Sequence, residues 1–490
     1  MVRKGLLVLW LALPAFAKPP LPPPPPLMPE PVPGEPAPFN PDQTREAIPK
    51  APIQLPLPNP EDANAPNLPI RPEEAVRMAW RLQPDIRTAQ GTLQQAEGTV
   101  IQQRAALMPQ IGGSSQYSHV SGTSAGSQTA ALGINPTNRT TDTFSNSVGI
   151  NWLLFDFGHT RDLVRAADLR RQAAAANLLQ SENDVSLTVK ERYYTVLQAQ
   201  RLVQVGEDDL KNRQEQLRMS RAMYQAGNMS PGDVVRSQTT VSNSVFALNN
   251  YRRNLELARM DLTQSLGLAP RSSLELVDFD EPDVPLRDMN ELSKMAFTQR
   301  PDMLVAERNV AAAEAAYDAA RTLNYPSLST FSGITYSGRA NGVQYPTFNL
   351  QFNIDFQIWD GGAQAGATIN AQGGIEVAKA AYTRAQLAVE RDVSGVVMQL
   401  LTAERNLEAA TAAVDSAREG VRIASGRYRA ALGTLTDVFD AQNAIVSART
   451  NYVNSLNELN LARARLRHAL AAPFEHGYFT AAAPPIPLAP

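Results

Sequence analysis

The stretch that decides the fold reads TFNLQFNIDFQIW and runs from Thr347 to Trp359. Apolar and polar side chains alternate along it without a break: Phe348, Leu350, Phe352, Ile354, Phe356 and Ile358 against Asn349, Gln351, Asn353, Asp355 and Gln357. Successive residues of a β-strand point to opposite faces of a sheet. The pattern therefore predicts a strand over about 347–359 with one apolar face and one wet face.

Three further runs carry the same alternation. They predict strands at about 110–121, 143–157 and 327–338, and in the second of these the apolar face holds Val148, Ile150 and Trp152. Each run has about the length of a membrane-spanning strand, roughly 9 to 11 residues. The sequence thus predicts four strands that are long and apolar on one side.

The chain repeats itself. Trp80 to Ile86 matches Phe297 to Met303, including the dipeptides Pro84-Asp85 and Pro301-Asp302, at a spacing of 217 residues. Further on the spacing becomes 204, which pairs Asp233-Val234 with Asp437-Val438. A fixed spacing over a long stretch indicates duplication. We assign a first structural repeat to residues 71–267 and a second to residues 288–472.

Each repeat combines two strands with four helices. A short helix (about 72–82 and 288–299) is followed by one of about 25 residues, and after the strands comes a proline-free helix over 159–225 or 363–430. At 1.5 Å per residue this helix is about 100 Å long. An intermediate helix follows at about 231–267 or 436–471. From their lengths, the two shorter helices are expected to stack end to end beside the long one.

The two ends of the chain differ from the repeats. Arg3, Lys4, an apolar run and Ala15-Phe16-Ala17 predict a secretory signal peptide over residues 1–17. Residues 18–70 hold 20 of the 37 prolines, so this leader is predicted to be extended and disordered. The Pro/Ala-rich tail over 473–490 is predicted to be unstructured.

Composition excludes several classes of protein. With 45 Lys+Arg against 48 Asp+Glu the net charge is −3, which argues against nucleic acid as a partner. The chain has no cysteine and four histidines, so disulfides, thiolate zinc sites and histidine metal sites are not expected. We find no nucleotide-binding or hydrolase motif. The sequence predicts neither a cofactor nor a catalytic centre.

The amphipathic strands could belong to a soluble domain or to a membrane barrel. A half-buried sheet of a soluble domain needs a cover for its aromatic face, and the flanking helices are too long to fold back as a lid. An outward apolar face and a polar lumen are typical of an outer-membrane barrel. Open strand edges cannot lie in lipid, and about eight strands make the smallest barrel. Two or more chains are thus needed, with polar extracellular loops at 121–142 and 337–346.

The signal peptide, the duplicated helix-strand-strand-helix-helix unit and the Pro-Asp helix starts together resemble the TolC family of outer-membrane efflux proteins. The resemblance covers residues 70–472. It implies a mainly α protein with a membrane β-barrel: a homotrimer whose 12-stranded barrel continues into a long α-helical periplasmic tunnel. It also implies two partners, a periplasmic adaptor and an inner-membrane pump, for export of drugs, metals or proteins.

By this resemblance, the turns after the long helices form the periplasmic tip. The gate residues would be Asp437 and Asp440, as rings of carboxylates, together with Asp233 and Tyr428. Helix capping is the alternative for Asp233 and Asp437, because Ser230-x-x-Asp233 and Thr434-x-x-Asp437 resemble capping boxes. Some members carry an Arg where this chain has Gly433. A contact between Tyr428 and Asp233 is then the remaining candidate for a latch.

The same turns supply the expected adaptor-docking positions, Gly227, Met229, Gly433 and Leu435. A glycine that simply ends a helix is the alternative for Gly227 and Gly433. Between the repeats, residues 268–287 are predicted to wrap the helices as an equatorial linker, with a short acidic run expected to be solvated. A structural coiled-coil rod without transport activity is the alternative for the whole protein, although a rod has no use for four amphipathic strands.

Overall fold

The structure is a computed structural model that describes residues 69–471 except 124–137, 228, 271, 273, 284–287, 340–341 and 431; side chains are also not described at 122, 123 and 138–141. The predicted signal peptide, nearly all of the leader and the tail lie outside the described residues. Ile70, the last residue of the predicted leader, is 2% exposed and pairs with Leu276 in an isolated parallel bridge. Ile70 therefore packs with the linker between the repeats.

The same elements occur in the same order in both copies. The first copy contains α1 (Pro72–Leu82), α2 (Pro84–Ala105), β1 (Gln110–Thr123), β2 (Asn138–Phe155), α3 (His159–Gln225) and α4 (Pro231–Ser265). The second contains α5 (Met289–Gln299), α6 (Pro301–Arg321), β3 (Ser327–Arg339), β4 (Tyr345–Asp355), α7 (Ala363–Arg429) and α8 (Leu435–Ala469). Where both bounds of a helix were predicted, they agree with the observed ones to within two residues, whereas α2 and α6 have 22 and 21 residues instead of about 25.

The long helices begin on equivalent aspartates. Asp156 accepts hydrogen bonds from the backbone N–H groups of Gly158 at 3.2 Å and Thr160 at 2.7 Å. Asp360, 204 residues later, accepts from Gly362 at 2.8 Å and Gln364 at 2.7 Å. These bonds satisfy amides that have no partner inside the helix. At Asp156 they outweigh the opposing effect of burial, and at both residues they lower the pKa of the carboxyl.

The helices form a layer of four columns. The continuous helix α3 packs against α2 and α4 on one side and against α6 and α8 on the other, and α7 packs against α6 and α8. At the end of α4, Gly267 lies against Leu82, just before α2 begins: a Cβ on Gly267 would be 2.8 Å from the Leu82 carbonyl oxygen. The predicted end-to-end stacking of the shorter helices is thus confirmed in the first copy.

The four strands form one antiparallel sheet in the order β1-β2-β3-β4. β4 ends at Asp355, four residues before its predicted end, because Asp355 pairs with Ser327 and the preceding Pro326 has no N–H to continue the ladder. β2 begins at Asn138 rather than 143, because its polar start pairs with the end of β1, Thr123. Alternation of apolar residues does not detect this polar part of the hairpin.

The linker is only partly solvated. Asp278, Asp280 and Asp283 are exposed, as predicted, but Glu281 is fully buried. Its carboxylate accepts hydrogen bonds from Lys190 Nζ and from the Tyr194 hydroxyl, both at 2.6 Å. The expectation of a wholly solvated acidic run was wrong at Glu281, because a buried lysine on α3 supplies the opposite charge.

Candidate functional site

One face of the sheet is mainly apolar, although β3 also contributes Ser332 and Thr330 to it. Strand register places the paired residues side by side on this face, in one row of Gly113, Val148, Ile334 and Phe348, a second of Ile111, Ile150, Ser332 and Leu350, and a third of Trp152, Thr330 and Phe352. The predicted apolar residues that lie in β2 and β4 are all exposed, from 40% for Ile150 to 66% for Phe348 and Ile354. Phe356 and Ile358 are also exposed but lie beyond the end of β4. The sheet thus presents a continuous apolar surface with no cover from the described part of the chain.

The opposite face is polar and carries Asn349, Gln351 and Asn353 on β4. Phe331 is an apolar residue on this face, and its ring lies over the paired glycines Gly149 and Gly333: Cβ atoms there would come within 2.6 and 2.9 Å of it. A ring over glycines replaces the side chains that would otherwise pack in the sheet. The alternation predicts the two faces but gives no signal for this contact, which depends on register.

The sheet has two outer strands, β1 and β4, each paired on one side only among the described residues. Their free edges present unpaired backbone groups. No helix in the described part of the chain has a stretch long and apolar enough to cross a membrane.

At the helix tips, Asp437 acts as a helix cap. Its carboxylate accepts from the Thr434 backbone N–H at 2.9 Å, and its own N–H donates to Thr434 Oγ1 at 3.2 Å. These bonds lower the pKa of Asp437, whose carboxylate also stays exposed. Capping therefore accounts for the residue type and keeps the charge. Asp440, one turn further along α8, is exposed and is not needed for the cap.

The first-copy turn differs in detail. Ser230 Oγ accepts from the Gly232 N–H at 3.2 Å rather than from Asp233, so the capping box expected there does not form. Tyr428 is buried and its hydroxyl donates to Met229 Sδ at 3.8 Å. Burial, and then the charge of Asp233, raise the pKa of Tyr428. The two residues of the expected latch are thus neighbours, but the tyrosine hydrogen bond goes to the methionine.

The four expected docking positions are not equivalent. Gly227 ends α3 in the left-handed conformation, with φ +76°, and Gly433 approaches Arg427 closely. Leu435 is 5% exposed and packs with Val438 and Phe439 in a small core at the tip, which Met229 also contacts. The start of α8 turns its side chain inward, and its docking role stays a prediction. Leu432, 74% exposed, is the apolar side chain that the turn presents.

Two arginines that we did not predict connect the first-copy helices to α8. Arg236 on α4 donates to Thr436 Oγ1 at 3.1 Å. Arg213 on α3 is buried, pairs with Asp209 at 3.0 Å and donates to Asn443 Oδ1 at 2.7 Å. The repeat draws attention to Arg236. The spacing of 204 residues that pairs Asp233 with Asp437 also pairs Arg236 with Asp440. The tip therefore carries opposite charges at equivalent positions of the two copies.

This fold, with two long helices that each follow a pair of strands of one amphipathic sheet, defines the class of outer-membrane channel proteins. The family model described as "Outer membrane efflux protein" matches residues 76–268 and 292–472. The chain belongs to this family, which confirms the resemblance found in the sequence. It is an outer-membrane efflux channel protein and resides in the outer membrane.

Individual relatives agree. Nodulation protein T of Rhizobium leguminosarum bv. trifolii is 24% identical over 330 residues, 65% of this chain and 69% of that protein. The probable efflux pump outer membrane protein TtgC of Pseudomonas putida is 26% identical over 385 residues, 74% of this chain and 76% of the relative. The fold matches the crystal structure of VceC from Vibrio cholerae with a TM-score of 0.70 and 19% identity, covering 81% of this chain and 95% of VceC.

Proposed function

We propose that three copies of the chain close a 12-stranded barrel, and that the barrel continues into a helical tunnel through the periplasm. The observation that carries the proposal is the apolar sheet face between two unpaired outer strands. In a bilayer, every backbone polar group needs a hydrogen-bond partner within the protein. β4 of one chain therefore has to pair with β1 of the next chain. The apolar face then contacts outer-membrane lipid, and the polar face lines the lumen.

The helical layer supports the same closure. Its edge columns are α7 on one side and the α2 and α4 stack on the other. Both edges carry large apolar side chains in the open: Ile369, Val377, Leu387 and Met398 on α7, and Ile101, Val235, Phe246 and Leu257 on α2 and α4. Apolar surface of this extent is typical of an interface between subunits. Joining edge to edge turns three open layers into one cylinder.

In this assembly the chain acts as a passive exit duct. Substrates are delivered by an inner-membrane pump through a periplasmic adaptor, which docks at the helix tips by the turns around Gly227, Met229, Gly433 and Leu435. Leu432 is the exposed apolar side chain of the second turn. The relative TtgC is named as part of an efflux pump, which supports partners of this kind. The pump supplies the energy, so the channel needs only a path and a gate.

The gate lies where the tips of the helices converge. Asp437 and Asp440 would form two carboxylate rings, and in a trimer each ring carries three charges. Like charges at close range repel one another and attract cations. The lowered pKa of Asp437 keeps its ring charged, whereas Tyr428 and Asp233 position the turn of the first copy against α7.

The test combines oligomer mass with conductance. The molar mass of the detergent-extracted protein is measured by light scattering. The same protein is then inserted into a planar bilayer for conductance recording. A trimer with small, cation-selective openings supports a duct gated at its tips. A monomer or rod-like dimer without conductance would contradict the proposal and favour the structural rod.

A further inference from the structure

The polar face of the sheet carries a carboxylate at the end that adjoins the helices. Asp355 is the last residue of β4 and pairs with Ser327, so the period of two places it on the same face as Gln351 and Asn353. Among the strand residues whose side chains are described, this face holds one other charge, that of Arg339. Ser327 and Arg339 are the two ends of β3, which has 13 residues and is about 40 Å long. The two charges therefore lie at opposite ends of an otherwise neutral face.

The charge of Asp355 is not balanced by a neighbour. The residue is exposed, and within the described part of the chain its carboxylate has neither an ion pair nor a hydrogen bond. It lines a cavity of about 470 Å³ at the base of the sheet, together with Asp156 and His159. Asp156 accepts the backbone N–H groups at the start of α3, and His159 Nδ1 lies 2.8 Å from the Ala319 carbonyl oxygen. The hydrogen bonds of both residues are thus made elsewhere, and Asp355 faces open space.

We infer that Asp355 determines the cation preference of the open channel, as a ring of three carboxylates at the base of the barrel. The inference rests on the proposed function, because it needs three copies around one lumen. With 12 strands about 4.8 Å apart and tilted by about 40°, the backbone lies about 12 Å from the barrel axis. An aspartate side chain extends inward from there. Its charge therefore reaches the axis within about one Debye length in 0.1 M salt, which is about 10 Å.

This ring is separate from the carboxylates of the helix tips. Asp355 precedes α7, whereas Asp437 and Asp440 follow it, and the 67 residues of this helix span about 100 Å. When the tips open, their carboxylates move apart, but the strand ladder with Ser327 holds Asp355 in place. A ring of acidic side chains attracts cations and repels anions. The base of the barrel thus favours cationic substrates whether the gate is open or closed.

The test is the ratio of K⁺ to Cl⁻ permeability, obtained from reversal potentials of the full-length protein in a planar bilayer. In about 0.1 M KCl, Asp355→Asn should lower this ratio about threefold, because three charges are removed from the lumen. In about 1 M KCl the Debye length is about 3 Å, so the difference should disappear. Asp142→Asn is the matched control. Asp142 pairs with His119 on the apolar face of the same sheet, so its substitution should leave the ratio unchanged.

A second variant adds a charge to the same face. Asn353→Asp should raise the ratio in dilute salt, and it decides the question if Asp355→Asn fails to assemble. Block by divalent cations from the periplasmic side should be equal in Asp355→Asn and the unaltered protein, because that block belongs to the tips. A conducting channel whose permeability ratio neither variant changes would overturn the inference and leave the proposed function standing. An unaltered protein that forms no channel would contradict the proposed function and this inference with it.

Discussion

The Nζ of Lys190 lies 2.6 Å from Oε1 of Glu281, and the two side chains are 2% and 0% exposed. The pair joins the middle of α3 to the linker between the repeats. Asn460 of α8 also accepts the backbone N–H of Glu281, at 3.0 Å. A surface charge run would make no such contacts, so Glu281 fixes the linker to both copies at once.

This pair gives a prediction for stability. Glu281→Gln removes the negative charge and leaves the ammonium of Lys190 buried without it, so we expect a loss of about 3 kcal/mol. Asp278→Asn is the matched control, because Asp278 is 68% exposed and its substitution should cost less than about 0.5 kcal/mol. Thermal unfolding in detergent compares the two. Equal midpoints would contradict a structural role for the buried pair.

The two faces of β4 give a second prediction. Phe352→Arg places a charge on the apolar face, where the cost near the middle of a bilayer is about 2 to 4 kcal/mol, and it should impair membrane assembly. Asn353→Arg, one residue later, places the same charge on the polar face and should be tolerated. The measurement is the amount of assembled protein in outer-membrane fractions. If both variants assemble equally, the assignment of the faces is wrong.

The acidic tip gives a third prediction. Asp437→Ala combined with Asp440→Ala should weaken block of the channel by divalent or trivalent cations. Because hydrogen bonds from Thr434 lower the pKa of Asp437, its share of the block should persist below the pH at which an ordinary aspartate is protonated. Single-channel recordings over a pH series check this. Block that is unchanged in the double variant would remove the carboxylates from the mechanism.

The ends of α4 and α8 give a fourth prediction. Gly267→Ala places a Cβ 2.8 Å from the Leu82 carbonyl oxygen, and it puts an alanine in a left-handed backbone conformation. It should therefore destabilise the fold by more than about 1 kcal/mol. Ala471→Gly does the reverse, because glycine adopts the positive φ of Ala471 without strain. A small rise in unfolding temperature is expected. A fall in the unfolding temperature would mean that the contacts of the Ala471 methyl stabilise the fold by more than its backbone strain destabilises it.

The alternation and the repeat make most of the fold predictable. The alternation from Phe348 to Ile354 predicts both the strand and the side chains on each of its faces. Apolar residues at a period of two over this length are typical of a half-buried β-strand. The long helices follow from the absence of proline over 159–225 and 363–430, whereas the aspartates that cap them are seen only in the structure. The spacing of 204 residues also makes Arg236 the counterpart of Asp440.

Contacts between distant segments are not predictable in this way. The burial of Glu281 depends on Lys190, 91 residues away, and no local pattern connects them. Leu435 and Leu432 are both apolar residues of one turn, and only the direction in which α8 begins separates the buried one from the exposed one. The ring of Phe331 over Gly149 depends on strand register, which the alternation leaves open.

The break in the shorter columns also has a mechanical meaning. A displacement along α3 or α7 is transmitted through continuous backbone hydrogen bonds, whereas one along α4 reaches α2 only through the side-chain contacts around Gly267. The column of α2 and α4 is therefore jointed at Gly267, whereas α3 beside it is continuous. In the proposed assembly, this joint would let the helix tips rotate while the end that carries the sheet stays in place.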